Sequence, residues 1–143
     1  MKKILFDTNV ILDWLSDRKP FLDASMYCID KCISKEIKGY LTPHSISDIF
    51  YILCKHKDKK MAKNSMNILH NLFYIATEDE NTIELIITSK NWKENLWNDI
   101  EDSLQMSSAQ LNEMDFILTR DPKGFELSKV QFMSPEEFVQ MQA

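Results

Sequence analysis

Ile4-Leu5-Phe6-Asp7-Thr8-Asn9-Val10-Ile11-Leu12 places three apolar residues, a carboxylate, two short polar residues and a second apolar run near the start of a 143-residue chain. Three adjacent apolar side chains ended by a polar triplet read as a strand buried on both faces. Asp, Thr and Asn all cap helix N-termini, so a helix is expected from Val10, continued by Trp14 and Leu15. A buried strand that passes into a helix is the repeating unit of a parallel sheet with helical crossovers.

The rest of the chain repeats that unit. A helix opens at Pro20 and runs to about Ser34, with Leu22, Met26, Ile29 and Ile33 apolar, and Lys38-Gly39-Tyr40-Leu41-Thr42 leads into a second strand. Pro43 and Ser45 open a helix carrying Ile46, Ile49, Phe50 and Leu53, and Asp58 opens another with Met61, Met66, Ile68 and Leu69. Leu72 to Ala76 reads as a third strand, followed by helices over about Asp79–Ser89 and Asp99–Leu111. In the second of these, Ile100, Leu104, Ser107 and Leu111 form the expected core stripe. Phe116-Ile117-Leu118 is a fourth strand, Val130-Gln131-Phe132 an edge strand, and Ser134-Pro135-Glu136-Glu137 a helix start with a cap, Pro at the first position and Glu at the third. Strands alternating with helices predict an α/β sandwich on a parallel sheet, organised as one domain over residues 1–143.

Bulk composition removes several classes of function. With 2 Gly there is no Gly-rich phosphate loop. Three cysteines, Cys28, Cys32 and Cys54, form no CxxC and read as reduced thiols; with no signal-peptide core and no long apolar run, a cytoplasmic protein without a membrane span is expected. His44, His56 and His70 have no zinc-type spacing. A net charge of −5 weakens a nucleic-acid reading unless cations offset the acids.

The acids themselves are placed suggestively. Ligands of open α/β sheets bind beyond the carboxyl ends of the strands. Asp7 follows the first strand, and Asp121 follows Phe116-Ile117-Leu118-Thr119-Arg120. Each also has a plain structural reading, Asp7 as a helix cap and Asp121 as part of an Asp-Pro-Lys-Gly turn. Asp99, Glu101 and Asp102 crowd one helix start, where Asp99 fits the cap and the helix dipole favours negative charge. Asp48 lies off the apolar stripe of its helix and, by the wheel alone, is a surface acid. Taken together, these acids match the oxygen-rich donor set that Mg²⁺ requires.

Four stretches in this order resemble the PIN-domain family, in its toxin branch: Phe6 to Asp13, Ser45 to Leu53, Asp99 to Gln105, and Ile117-Leu118-Thr119-Arg120-Asp121 with Phe125 beyond. The resemblance implies a three-layer α/β/α sandwich with a central parallel sheet of four to five strands. It also implies a Mg²⁺- or Mn²⁺-dependent endoribonuclease, the toxin of a toxin–antitoxin pair. On it, Asp7, Asp48, Asp102 and Asp121 match the catalytic metal-binding acids, with Asp48 standing where the family usually has Glu. Asn9, Asp99, Glu101 and Thr119 match supporting positions. Arg120 and Lys123 border the site and are the expected RNA-phosphate contacts, while the dense run Lys55, Lys57, Lys59, Lys60 and Lys63 reads as a solvated turn. The implied partners are RNA and a small antitoxin, with the apolar surface of the early helices available to a homodimer. Two other classes compete. One is a PIN-like module that binds RNA or protein without cutting, for which Asp48 is the support. The other is a phosphotransferase using Asp7 as nucleophile, which needs a second Asp where Asn9 stands.

Overall fold

A computed structural model of the chain describes residues 1–97 and 99–142. Five parallel strands form one sheet in the order β3-β2-β1-β4-β5. The opening strand β1 (Lys2–Phe6) is central, with Ile4 opposite Gly39 of β2 (Ile37–Leu41) and Leu5 opposite Ile117 of β4 (Phe116–Leu118). β3 (Tyr74–Ile75) and β5 (Phe132–Met133) close the edges. The chain winds to one side of β1 first and to the other side later. The carboxyl ends of β1 and β4 therefore flank the point where the winding reverses, and a crevice forms there.

Period-2 alternation sorts the strand residues between two layers of helices. Ile4, Phe6, Phe116 and Leu118 face one layer, containing α1 (Thr8–Leu15), α2 (Leu22–Ile33), α3 (Pro43–His56), α4 (Lys59–Leu72) and α8 (Pro135–Gln142). Leu5 and Ile117 face the other, where α7 (Ile100–Leu111) supplies Met106 and Ala109 and α5 (Glu80–Ile87) packs beside it. A short α6 (Lys90–Lys93) precedes α7. Edge-on rings knit the larger layer, with Phe6 against Phe73 at 5.1 Å and Phe116 against Phe138 at 5.8 Å. Cys28 and Cys32 are buried in that core.

The α/β/α sandwich and its five-stranded parallel sheet agree with the reading of the sequence, and four local expectations are corrected. The second helix starts at Leu22, not Pro20. The third strand is confined to Tyr74–Ile75 because α4 runs on to Leu72. The edge strand is Phe132–Met133, starting two residues later and ending one residue later than expected. The expected core stripe of α7 is the largest miss: within it Ser107 is buried, but Ile100 and Leu111 are 44% and 46% exposed, and Ser103, Gln105, Met106, Ser108 and Ala109 are buried instead. Small and polar residues are accommodated on that face, where two of the three serine hydroxyls find backbone acceptors and that of Ser107 has none. Ser108 Oγ donates to Thr77 O at 3.0 Å, and Ser103 Oγ to Asp99 O at 2.8 Å.

Candidate active site

Asp7 is both a helix cap and a member of the acidic cluster. It is only 8% exposed. Its Oδ1 accepts the Thr8 N–H at 2.8 Å, the capping bond of α1, and the Gln105 Nε2–H at 3.4 Å from across the sheet. Its Oδ2 accepts the Thr119 hydroxyl at 2.8 Å, and that hydroxyl in turn accepts the Asp121 N–H at 3.0 Å. One threonine at the end of β4 thus ties two of the expected acids together. Thr8 Oγ1 reaches Ser45 Oγ at 2.7 Å, locking the starts of α1 and α3 to each other.

Asp102 approaches from the first turn of α7, and the geometry around Gly124 shows how closely it meets Asp121. Gly124 belongs to the 3₁₀ turn Pro122–Phe125 that follows Asp121. A Cβ placed at Gly124 would stand 2.5 Å from Asp102 Oδ2 and 3.3 Å from Asp121 Oδ2. Both carboxylates therefore converge on a spot that only a residue without a side chain leaves open. Asp99 caps α7, its Oδ1 accepting from Glu101 N at 2.8 Å and Asp102 N at 3.4 Å.

The electrostatics follow from that crowding. Burial pushes the Asp7 carboxyl up, and the Asp121 charge adds to the shift against the opposing hydrogen bonds from Thr119, Thr8 and Gln105. Burial, then the Asp99, Asp7, Asp121 and Glu101 charges, push Asp102 up to about 7. Partial desolvation, then the neighbouring Asp48 and Asp99 carboxylates, raise Glu101, and His44 pulls it back. Asp48, half-buried on α3, thus keeps company with Glu101.

Among the described residues no three acidic, histidine or cysteine side chains surround one point at metal-coordinating reach. The donors nevertheless suit a hard divalent ion, being carboxylate oxygens together with the buried amide oxygens of Asn9 and Gln105, neither of which has a hydrogen-bond partner. Asp102, pushed up to about 7, holds a proton that a bound cation can replace.

The expected phosphate contacts divide. Lys123 is exposed and lines a cavity of about 220 Å³ together with Asp99, Asp102 and Gly124. Arg120 is committed elsewhere. Its Nε and Nη2 donate to Asp13 Oδ2 and Oδ1 at 2.6 and 3.1 Å, and its guanidinium sits 4.1 Å from the centre of the Phe21 ring. Asp13 is fully buried, so Arg120 chiefly neutralises an interior charge. The lysines of the α3–α4 turn are exposed at the far end of the 14-residue α3, about 20 Å from its start at the site. Reading the sequence did not assign roles to Gln105, Thr8, Ser45, His44 or Glu78. For Gln105 a signal existed, as it lies three residues after Asp102 on the same helix face.

A parallel α/β/α sandwich with Asp7 beyond β1, Asp121 beyond β4, Asp102 in the first turn of α7 and Asp48 of α3 beside Glu101 defines the class of protein. The sequence model described as "PIN domain" matches residues 3–123, and the chain belongs to the PIN-domain family. It is similar to Ribonuclease VapC1 of Aquifex aeolicus (strain VF5), 29% identical over 140 residues that cover 96% of this chain and 93% of that protein. Among solved structures it resembles VapBC2 from Rickettsia felis bound to a promoter DNA fragment, with a TM-score of 0.73 and 14% identity over 92% of this chain and 98% of that one. A toxin–antitoxin complex from Klebsiella pneumoniae matches with a TM-score of 0.67 and 16% identity over 92% of this chain and 97% of that one. At such identities the solved structures speak for the fold. Among the described residues no helix is long and apolar enough to cross a membrane.

Proposed function

We propose that the chain, as one domain over residues 1–143, is a Mg²⁺- or Mn²⁺-dependent endoribonuclease and the toxin of a toxin–antitoxin pair. The observation that carries this reading is the meeting of Asp102 and Asp121 over Gly124, with Asp7 tied to Asp121 through Thr119. Asp7, Asp102 and Asp121 are the proposed ligands, with Asp48, beside Glu101 of α7, as the fourth. Asn9, Asp99, Glu101 and Thr119 support them, Asp99 as a helix cap and Thr119 as the bridge. When bound, divalent ions lower the pKa of water and stabilise charge on the phosphodiester in the transition state. The protein's own part is to hold the acids at one rim, to screen Asp7 from solvent, and to offer Lys123 to a neighbouring phosphate.

The name of the Aquifex relative supports RNA as substrate, and the toxin–antitoxin complexes among the structural neighbours support a small protein partner. Exposed apolar side chains on the early helices, among them Met26, Ile33, Tyr51 and Ile68, suit that partner or a homodimer, and a cytoplasmic setting is part of the same proposal. One observation favours a second reading. Asp48 neighbours Glu101, and no trio of acids stands at coordination reach among the described residues, as in a module that binds without cutting. Titrating Mg²⁺ or Mn²⁺ into the wild type and Asp7→Asn, with cleavage of structured RNA as readout, separates the two. The nuclease reading expects metal-dependent cutting by the wild type alone, and equal behaviour of both proteins overturns it.

A further inference from the structure

The rim of the sheet carries one more chemical pair. His44 sits in the first turn of α3, just beyond β2, and Glu78 lies just beyond β3, so both stand at the same carboxyl end of the sheet as Asp7 and Asp121. The His44 Nδ1 meets Glu78 Oε2 at 2.5 Å, with Thr42 Oγ1 at 3.1 Å from the same nitrogen, and the His44 backbone N–H donates to Glu78 Oε1 at 3.2 Å. A carboxylate only accepts, so Nδ1 carries the hydrogen and Nε2 is left as the working nitrogen. The imidazole is 18% exposed and Glu78 13%, which shields the pair without closing it off. His44 precedes Asp48 by four residues, on the same face of α3, and Glu101 of α7 lies within reach of both charges. A carboxylate that orients a histidine at the edge of an acidic cluster is the arrangement general acid catalysis uses.

We propose that His44, oriented by Glu78, donates the proton that the leaving oxygen takes up when the phosphodiester is cut; this rests on the nuclease reading above. In the step, a water oxygen bonds to phosphorus and releases its proton to solvent. The bond from phosphorus to the leaving oxygen breaks, and that oxygen's electron pair takes the Nε2 proton. The imidazole then recovers a proton from water, so no other reagent is consumed. Glu78 holds the ring in place. Among the described residues, Glu78 bonds the ring, Glu101 of α7 feels its charge, and Asp48 stands one turn further along α3.

The test compares two substrates once the cut linkage has been mapped: the RNA itself, and the same RNA with sulfur in place of the leaving oxygen, since a thiolate leaves without a proton. His44→Asn keeps a donor for Glu78 and removes Nε2. It should slow cutting of the oxygen substrate roughly a hundredfold, the usual scale of acid catalysis, and barely slow the sulfur substrate. Glu78→Gln should show the same pattern, more weakly. Equal losses on both substrates, or no loss on either, would overturn the role of His44 while leaving the nuclease reading intact. A wild type that cuts neither substrate overturns the nuclease reading and the role of His44 with it. Should His44→Asn fail to fold, the wild type still decides the matter. Its rate on the oxygen substrate should fall at alkaline pH where its rate on the sulfur substrate does not, and parallel profiles refute the proposal.

Discussion

Gly124 and Asp102 are so close that the smallest side chain would not fit between them, a Cβ at residue 124 falling 2.5 Å from Asp102 Oδ2. Gly124 has no positive φ, so backbone conformation does not require a glycine there. The requirement comes from the carboxylates. Gly124→Ala should therefore fold normally but displace Asp102, and with it Asp121. Misplacing one such group should cost roughly tenfold in cutting, about 1.4 kcal/mol of transition-state stabilisation. A melting curve close to wild type with weaker Mg²⁺ binding is expected, and wild-type activity in this variant would contradict the placement of the site.

Asp102 makes metal-free stability depend on pH in a definite direction. Its folded-state carboxyl is pushed up to about 7 from an ordinary 3.8. Between those values the native protein keeps a proton that the unfolded chain has released, so stability falls as pH rises through that window and levels off above it. Asp102→Asn removes the penalty. It should melt higher than wild type at pH 8, match it near pH 4, and cut no RNA at either. Mg²⁺ must displace the Asp102 proton, so its affinity should climb with pH up to about 7 and then flatten, which calorimetry can follow. An affinity independent of pH would remove Asp102 from the ligand set.

Arg120 should prove to be a stability residue. Arg120→Ala strips the close bidentate partner from a carboxylate that is fully buried, leaving it Arg18 at the longer distance of 3.8 Å. Loss of a buried ion-pair partner costs about 3 kcal/mol, measurable by urea unfolding. Arg120→Lys should recover only part of this, because a single ammonium cannot replace the planar fork over Phe21. A stable Arg120→Ala protein with weakened RNA binding would return Arg120 to the phosphate role.

The cysteines should divide by reactivity. Burial pushes both the Cys28 and Cys32 thiols up to about 12, so neither forms appreciable thiolate in the native state. Iodoacetamide at pH 8 should label the half-buried Cys54 first and reach the other two only on unfolding. Mass mapping of the labelled peptides checks the order. Early labelling of Cys28 would show that α2 detaches from the core.

Local patterns of residues determined much of this protein. Ile4-Leu5-Phe6 had to be a buried strand, Asp7 had to follow it at the rim, and Ser134 to Glu137 had to start a helix. That last start is held by a reciprocal pair, Ser134 N to Glu137 Oε1 and Glu137 N to Ser134 Oγ, both 3.1 Å. Such features depend on neighbours within one turn or one pleat, which a sequence displays directly. What the tertiary structure decided depends on groups brought together from afar. Gln105 meets Asp7 across 98 residues, Arg120 meets Asp13 across 107, and Glu78 meets His44 across 34. Strand register sets these meetings, together with the tilt of α7 on the sheet, which turned Ile100 and Leu111 outward and a row of serines inward. The sequence alone therefore indicated which acids to suspect. The order of the strands and the packing of α7 on them decided which acids meet, and that Arg120 guards an interior charge while Lys123 stands at the mouth of the site.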